Sequence, residues 1–153
     1  MSAEVRVETD GGPDEAAIAE MADAILVALE LADAELSVLL TSDAHIAELN
    51  ASWRGVEGPT DVLSFPQESL PGGPRLLGDV VVGMETASRQ ASEQGHDLAT
   101  ELRVLLVHGV LHLLGHDHQT SDERAAMTKA EREVLAWVGD APDAGLVGRS
   151  HQG

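Results

Sequence analysis

A chain of 153 residues, 43% of them hydrophobic, suits one compact domain with a real core and is short for two. It has no cysteine, so disulfides are excluded and any transition-metal site must be made of imidazole and carboxylate. A formal net charge of -18 and a supply of only three aromatic rings (Trp53, Phe65 and Trp137) argue against a broadly basic phosphate-binding surface. They argue equally against a sheet that stacks successive bases.

Residues 4 to 8 alternate polar and apolar, with Val5 and Val7 on one side, and predict a short half-buried strand. After the break at Asp10 to Pro13, Ile18, Met21, Ile25, Leu26 and Leu29 recur at helical spacing and predict an amphipathic helix over about 14 to 32. Leu36, Val38 and Leu40 alternate again as a second strand, and Ser42 is placed to cap a helix running to about 53 with Ile46, Leu49 and Trp53 as its buried stripe. Ten acidic residues and no Lys or Arg lie between 10 and 48, which reads as a solvated face.

A short strand over 61 to 65 is ended by Pro66, and a further strand over 76 to 83 follows the Gly-Gly-Pro loop at 72 to 74. A weak helix over 85 to 94 stops at Gly95, and Asp97 then caps a helix over about 98 to 114 that is apolar on most of its surface, as a helix through the centre of a domain would be. A last helix is expected from about 121 to 138, and 139 to 153 read as a loose tail. The expected architecture is α+β: one catalytic domain over 1 to 138, with a single mixed sheet of about four strands covered by about five helices and a metal site at the end of the central buried helix. No apolar stretch approaches the roughly 20 residues of a membrane helix and no signal-like leader is visible, so a soluble cytoplasmic protein is expected.

The densest chemistry lies at 108 to 118, His-Gly-Val-Leu-His-Leu-Leu-Gly-His-Asp-His, where four of the seven histidines fall within eleven residues. His108 and His112 are one helical turn apart on one face. Gly115 can reverse the chain and carry His118 to the same point, which gives three imidazole ligands and an open fourth position, the catalytic arrangement for zinc. One ion per chain is expected. The same spacing occurs in zinc peptidases, whose general base is a glutamate directly after the first histidine. Here that place is Gly109, which cannot transfer a proton, so peptidase chemistry is the disfavoured alternative.

Together with Leu49-Asn-Ala-Ser-Trp-Arg54-Gly, Pro59-Thr-Asp-Val-Leu-Ser-Phe-Pro66 and Gly78-Asp79-Val80, the cluster resembles the YbeY family of bacterial RNA-processing enzymes over about residues 35 to 135. The resemblance implies a zinc-dependent endoribonuclease cutting single-stranded RNA, in maturation of the 3' end of 16S ribosomal RNA and in ribosome quality control. It implies His108, His112 and His118 as metal ligands and Arg54 as the catalytic arginine near them. A guanidinium there could hold a phosphate oxygen in fork geometry, although an arginine at a helix end also satisfies carbonyls. His116 and Asp117 are left outside the ligand set, His45, His96 and His151 read as surface residues, and Asp61 and Ser64 as local caps on a strand lining the cleft.

The expected partners are single-stranded RNA in the small ribosomal subunit, with ribosomal proteins or an assembly GTPase, and neither membrane nor DNA. The sparse positive charge, with Arg75 and Arg89 besides Arg54 in the middle of the chain, suggests that RNA binding relies on the ribosome as context. A second reading from another class is a ribosome-binding maturation factor whose zinc is largely structural.

Overall fold

In the computed structural model, which describes residues 3–8, 13–58, 60–67, 71–73, 75–114 and 121–137, the elements follow the order expected from the periodicities. They are β1 (Ala3–Val7), α1 (Glu15–Ala28), β2 (Ala34–Thr41), α2 (Asp43–Arg54), β3 (Val62–Pro66), β4 (Arg75–Gly83), α3 (Met84–Gln94), α4 (Leu98–Leu113) and α5 (Ser121–Trp137). The expected tail at 139 to 153 lies outside the described residues.

The four strands form one mixed sheet in the order β1-β2-β4-β3. β1, β2 and β4 are parallel, while β3 runs antiparallel to β4 at the edge. The register sets Val5, Val38, Val80 and Ser64 in one row across the sheet, and Arg6, Leu39, Val81 and Leu63 in the next. Because side chains alternate along a strand, these rows face opposite sides. The first side carries the main core: Leu36, Val38, Leu40, Val80 and Val82 pack with Ile18, Ile25 and Leu26 of α1 and with Leu102, Leu105, Leu106 and Val110 of α4. The second side carries α2, whose Ile46 packs with Leu63 and Val81.

Local signals fix the helix ends. Ser42 accepts a hydrogen bond from the His45 amide at 3.2 Å and Asp97 one from the Thr100 amide at 2.9 Å, as an N-cap side chain does. Gly95 closes α3 with φ of 74°, a left-handed conformation that glycine adopts without a Cβ penalty. Pro66 is the last residue of β3, where an edge strand tolerates the missing amide donor.

Two expectations are corrected. Trp53 is 72% exposed rather than part of a buried stripe. It lies on the side of α2 that the spacing implies, but the sheet beneath the last turn is open, and Leu49, Trp53, Phe65, Leu39 and Asp79 border a cleft of about 970 Å³. The Trp53 ring meets the Phe65 ring edge-on, with centroids 6.1 Å apart. His96, read as a surface residue, is held between the Gly95 turn and the Asp97 cap with its side chain 8% exposed, 2.6 Å from the carboxylate of fully buried Glu101.

The capping bond at Asp97 is testable through pH. Hydrogen bonds from the Thr100 side chain and then its backbone, helped by the charges of Arg103 and His96, hold the Asp97 carboxyl below its ordinary value of 3.8 against the opposing effect of desolvation. A carboxyl depressed in the folded state contributes stability above its unfolded value, and that contribution is lost as pH falls through the folded value. Asp97→Ala should therefore lower the thermal midpoint at pH 7, with a smaller deficit near pH 3. Equal deficits at the two pH values, followed by circular dichroism, would show that the charged cap is not the source.

Candidate metal centre and active site

α4 runs along one face of the edge strand β3, while α2 lies on the other face of the sheet over β4 and reaches β3 through Ile46 on Leu63 and Trp53 on Phe65. At the start of β3, the Gln90 amide nitrogen, oriented as its acidic neighbours require, donates to Glu101 in the first turn of α4 at 2.9 Å and to Asp61 at 3.3 Å. Halfway along, the Ser64 hydroxyl donates to the Gly109 carbonyl at 2.9 Å. Ser64 is thus a tie between β3 and α4 across 45 residues rather than a local cap. On the other face, α2 begins at Asp43, whose carboxylate accepts from the Thr86 amide and hydroxyl, and ends with Trp53 on Phe65. The C-terminal turns of both helices therefore flank the same end of β3 from opposite sides.

Gly109 sets how closely α4 approaches. A Cβ there would sit 2.7 Å from Val80 Cγ1 and 3.3 Å from Ser64 Oγ, so the helix backbone rests directly on the sheet. A side chain at 109 would be driven into Val80. The glutamate that zinc peptidases carry at this place has no room here.

With Gly109 against the sheet, His108 and His112 share another side of α4. Their Nε2 atoms lie 3.1 Å apart, and the ring centroids are 4.7 Å apart at 61°. Two imidazole lone pairs facing at this distance repel unless a proton or a cation lies between them. Tetrahedral coordination with Zn–N of about 2.0–2.1 Å puts ligand nitrogens roughly 3.3 Å apart, so the pair fits a shared ion of that kind. Behind His108, Nδ1 lies 3.2 Å from Oε1 of Glu131 on α5. A carboxylate only accepts, so the facing Nδ1 carries the proton and Nε2 presents its lone pair. Glu131 is 6% exposed and was not anticipated. The available signal was an acid at helical spacing beside the apolar positions Ala130 and Val134.

The third expected ligand, His118, lies outside the described residues with Gly115, His116 and Asp117, and His151 is also outside them. Among the described residues, no three potential ligands gather at one point. Arg54 occupies the last turn of α2 and is exposed, followed by Gly55 in the left-handed conformation at φ 68°. It belongs to the opposite face of the sheet from the histidines, but to the same end of β3. Buried Asn50, one turn earlier, donates from Nδ2 to the Gly58 carbonyl at 2.9 Å and holds the segment after Arg54 against the helix. Arg75 and Arg89 are exposed as well.

The family model for endoribonuclease YbeY matches residues 6–139. A protein of Moorella thermoacetica named endoribonuclease YbeY is 50% identical over 112 residues, covering 67% of this chain and 72% of that one. One of Rhodopseudomonas palustris with the same name is 46% identical over 127 residues, covering 80% and 73% of the two chains. Among solved structures, the solution structure of a Thermotoga maritima protein is similar with a TM-score of 0.55 and 26% identity, covering 87% of this chain and 90% of that one.

The close approach at Gly109 gives a direct test. A methyl group favours the helix by up to about 1 kcal/mol over glycine, whereas overpacking a tight contact costs about 1–3 kcal/mol. Gly109→Ala should therefore be net destabilising in urea unfolding, and Val80→Ala should absorb much of the loss in the double variant, because it vacates the colliding methyls. Strictly additive effects would rule out this contact as the constraint.

Proposed function

Since the chain belongs to the endoribonuclease YbeY family, and is thus a hydrolase acting on RNA, we propose that it is zinc-dependent and cleaves single-stranded RNA. One ion per chain is held by His108, His112 and His118. The observation that carries the metal assignment is the convergence of the His108 and His112 Nε2 atoms at 3.1 Å with Glu131 behind His108. Zinc bound there would supply a Lewis acid for a phosphoryl oxygen or for an attacking hydroxyl. The chain's own contribution is positional and electrostatic. Glu131 holds the tautomer and orientation of the His108 ring, Ser64 fixes α4 to β3, and Arg54 donates to phosphate oxygens as negative charge develops on them. The biological substrate is ribosomal RNA of the small subunit, at the 3' end of the 16S molecule, in the cytoplasm. The scarcity of cations favours a substrate presented by the ribosome, with ribosomal proteins or an assembly GTPase as neighbours. No helix among the described residues is long and apolar enough to cross a membrane.

Two variants separate metal binding from charge stabilisation. His112→Ala should lose bound zinc, read by elemental analysis, together with chelator-sensitive cleavage of a single-stranded oligoribonucleotide. Full metal occupancy in that variant would overturn the ligand assignment. Arg54→Ala should keep zinc and fold but cleave slower by on the order of 10²-fold, the usual scale for removing one transition-state donor. Arg54→Lys should recover part of the rate, since an ammonium supplies charge without the planar fork. Wild-type cleavage by zinc-loaded Arg54→Ala would leave the arginine as a helix-end residue.

A further inference from the structure

Trp53 is exposed although it lies on the sheet-facing side of α2. The chain has three aromatic rings, and this one stands 72% exposed in the last turn of α2, touching the fold through an edge contact with Phe65. Val56, just after the Gly55 turn, is 44% exposed beside it in sequence. Arg54 follows it in the chain, also exposed and with no ion-pair partner among the described residues. The cleft that the ring borders is lined by Glu4, Glu15 and Asp79, with Arg6 as the cation among its described lining residues, so phosphates are repelled from its interior. A flat apolar face beside a guanidinium, at the mouth of an acidic cleft, suits a group that is planar and uncharged next to one that is anionic. A nucleotide has both.

We propose that Trp53 is a positioning residue, a stacking platform for one base of the RNA strand, with the adjoining phosphate toward Arg54. This rests on the endoribonuclease reading and deepens it by naming what holds the base next to the phosphate that Arg54 engages. Base stacking on an aromatic ring is sequence-tolerant, because every base presents a π face. Phe65 braces the ring from β3, the strand that Ser64 ties to α4, so the platform and the His108–His112 pair are referenced to one rigid element. The scarcity of aromatic rings rules out a row of stacked bases but not a single clamp.

The test uses the full zinc-loaded chain and a fluorescein-labelled single-stranded oligoribonucleotide, with Trp53→Ala, Trp53→Phe and a series of substrates carrying one abasic nucleotide at successive positions. Trp53→Ala should weaken binding by about 5- to 150-fold, the fold-change matching a single stacked base, with KM rising more than kcat falls. Trp53→Phe should recover most of it. One abasic position should weaken the wild type to a similar degree and leave Trp53→Ala unaffected, a coupling that a merely structural role would not produce. Exposure of the ring predicts an unchanged circular dichroism spectrum and unfolding midpoint. Wild-type binding and cleavage by Trp53→Ala overturns the platform and leaves the nuclease reading intact. So does an abasic penalty that persists undiminished in that variant. Normal cleavage of the free oligonucleotide with lost association to ribosomes assigns the ring to a protein contact, and likewise overturns stacking. A wild-type chain that neither binds nor cleaves any single-stranded RNA sinks the nuclease reading and the platform with it.

Discussion

The contact of α4 with the sheet at Gly109 fixes nearly everything near the histidines. With no side chain to separate them, the helix backbone meets Val80, and the Ser64 hydroxyl reaches the Gly109 carbonyl, which has a second lone pair to offer beyond its intrahelical bond. A helix held at one residue in this way cannot rotate without losing that bond or driving a neighbouring side chain into Val80. The direction of His108 and His112 follows, because residues four apart are locked to one another by helix geometry and to Gly109 by sequence adjacency. The His108–His112 pair is therefore positioned by main-chain packing.

A buried carboxylate lies near each end of α4, and each faces an imidazole. Glu101 meets His96 in the first turn, where an acid suits the positive end of the helix dipole. Glu131, from α5, meets His108 near the other end. A buried carboxylate without a partner is expensive, so each pairing fixes a ring orientation as well as a charge. At the first end the result is structural, since it joins α3, α4 and the start of β3 through Gln90 and Asp61. At the second it prepares an imidazole lone pair.

The strands and helices were legible because each buries one face. The alternation at Leu36, Val38 and Leu40 and the apolar surface of α4 identified their elements, and Ser42 and Asp97 marked two helix starts. Strand order was not legible, because the choice of β4 rather than β3 as the neighbour of β2 depends on how the crossovers pack. The spacing at 46, 49 and 53 gave the right face of α2 but not the extent of the sheet below it, so Trp53 was misplaced. For the same reason Ser64 and His96 were misjudged: their partners Gly109 and Glu101 are set by tertiary packing. The His108–His112 pair was legible from helix periodicity alone. Glu131 was not: its place beside Ala130 and Val134 marks the inward side of α5, but its partner His108 is set by how α5 packs on α4.

β3 is an edge strand with α2 on one face and α4 on the other, and its Phe65–Pro66 end is flanked by the final turns of both. A nucleic acid that touches Trp53 and also reaches the histidines must turn around the rim of a single sheet, where packed layers are about 10 Å apart. A double helix is stiff over about 150 base pairs, judged from DNA, and resists so tight a turn. An unpaired strand, with rotatable bonds at every nucleotide, makes it readily. Bending stiffness, rather than any contact to a particular base, would then separate single strands from duplexes at this edge.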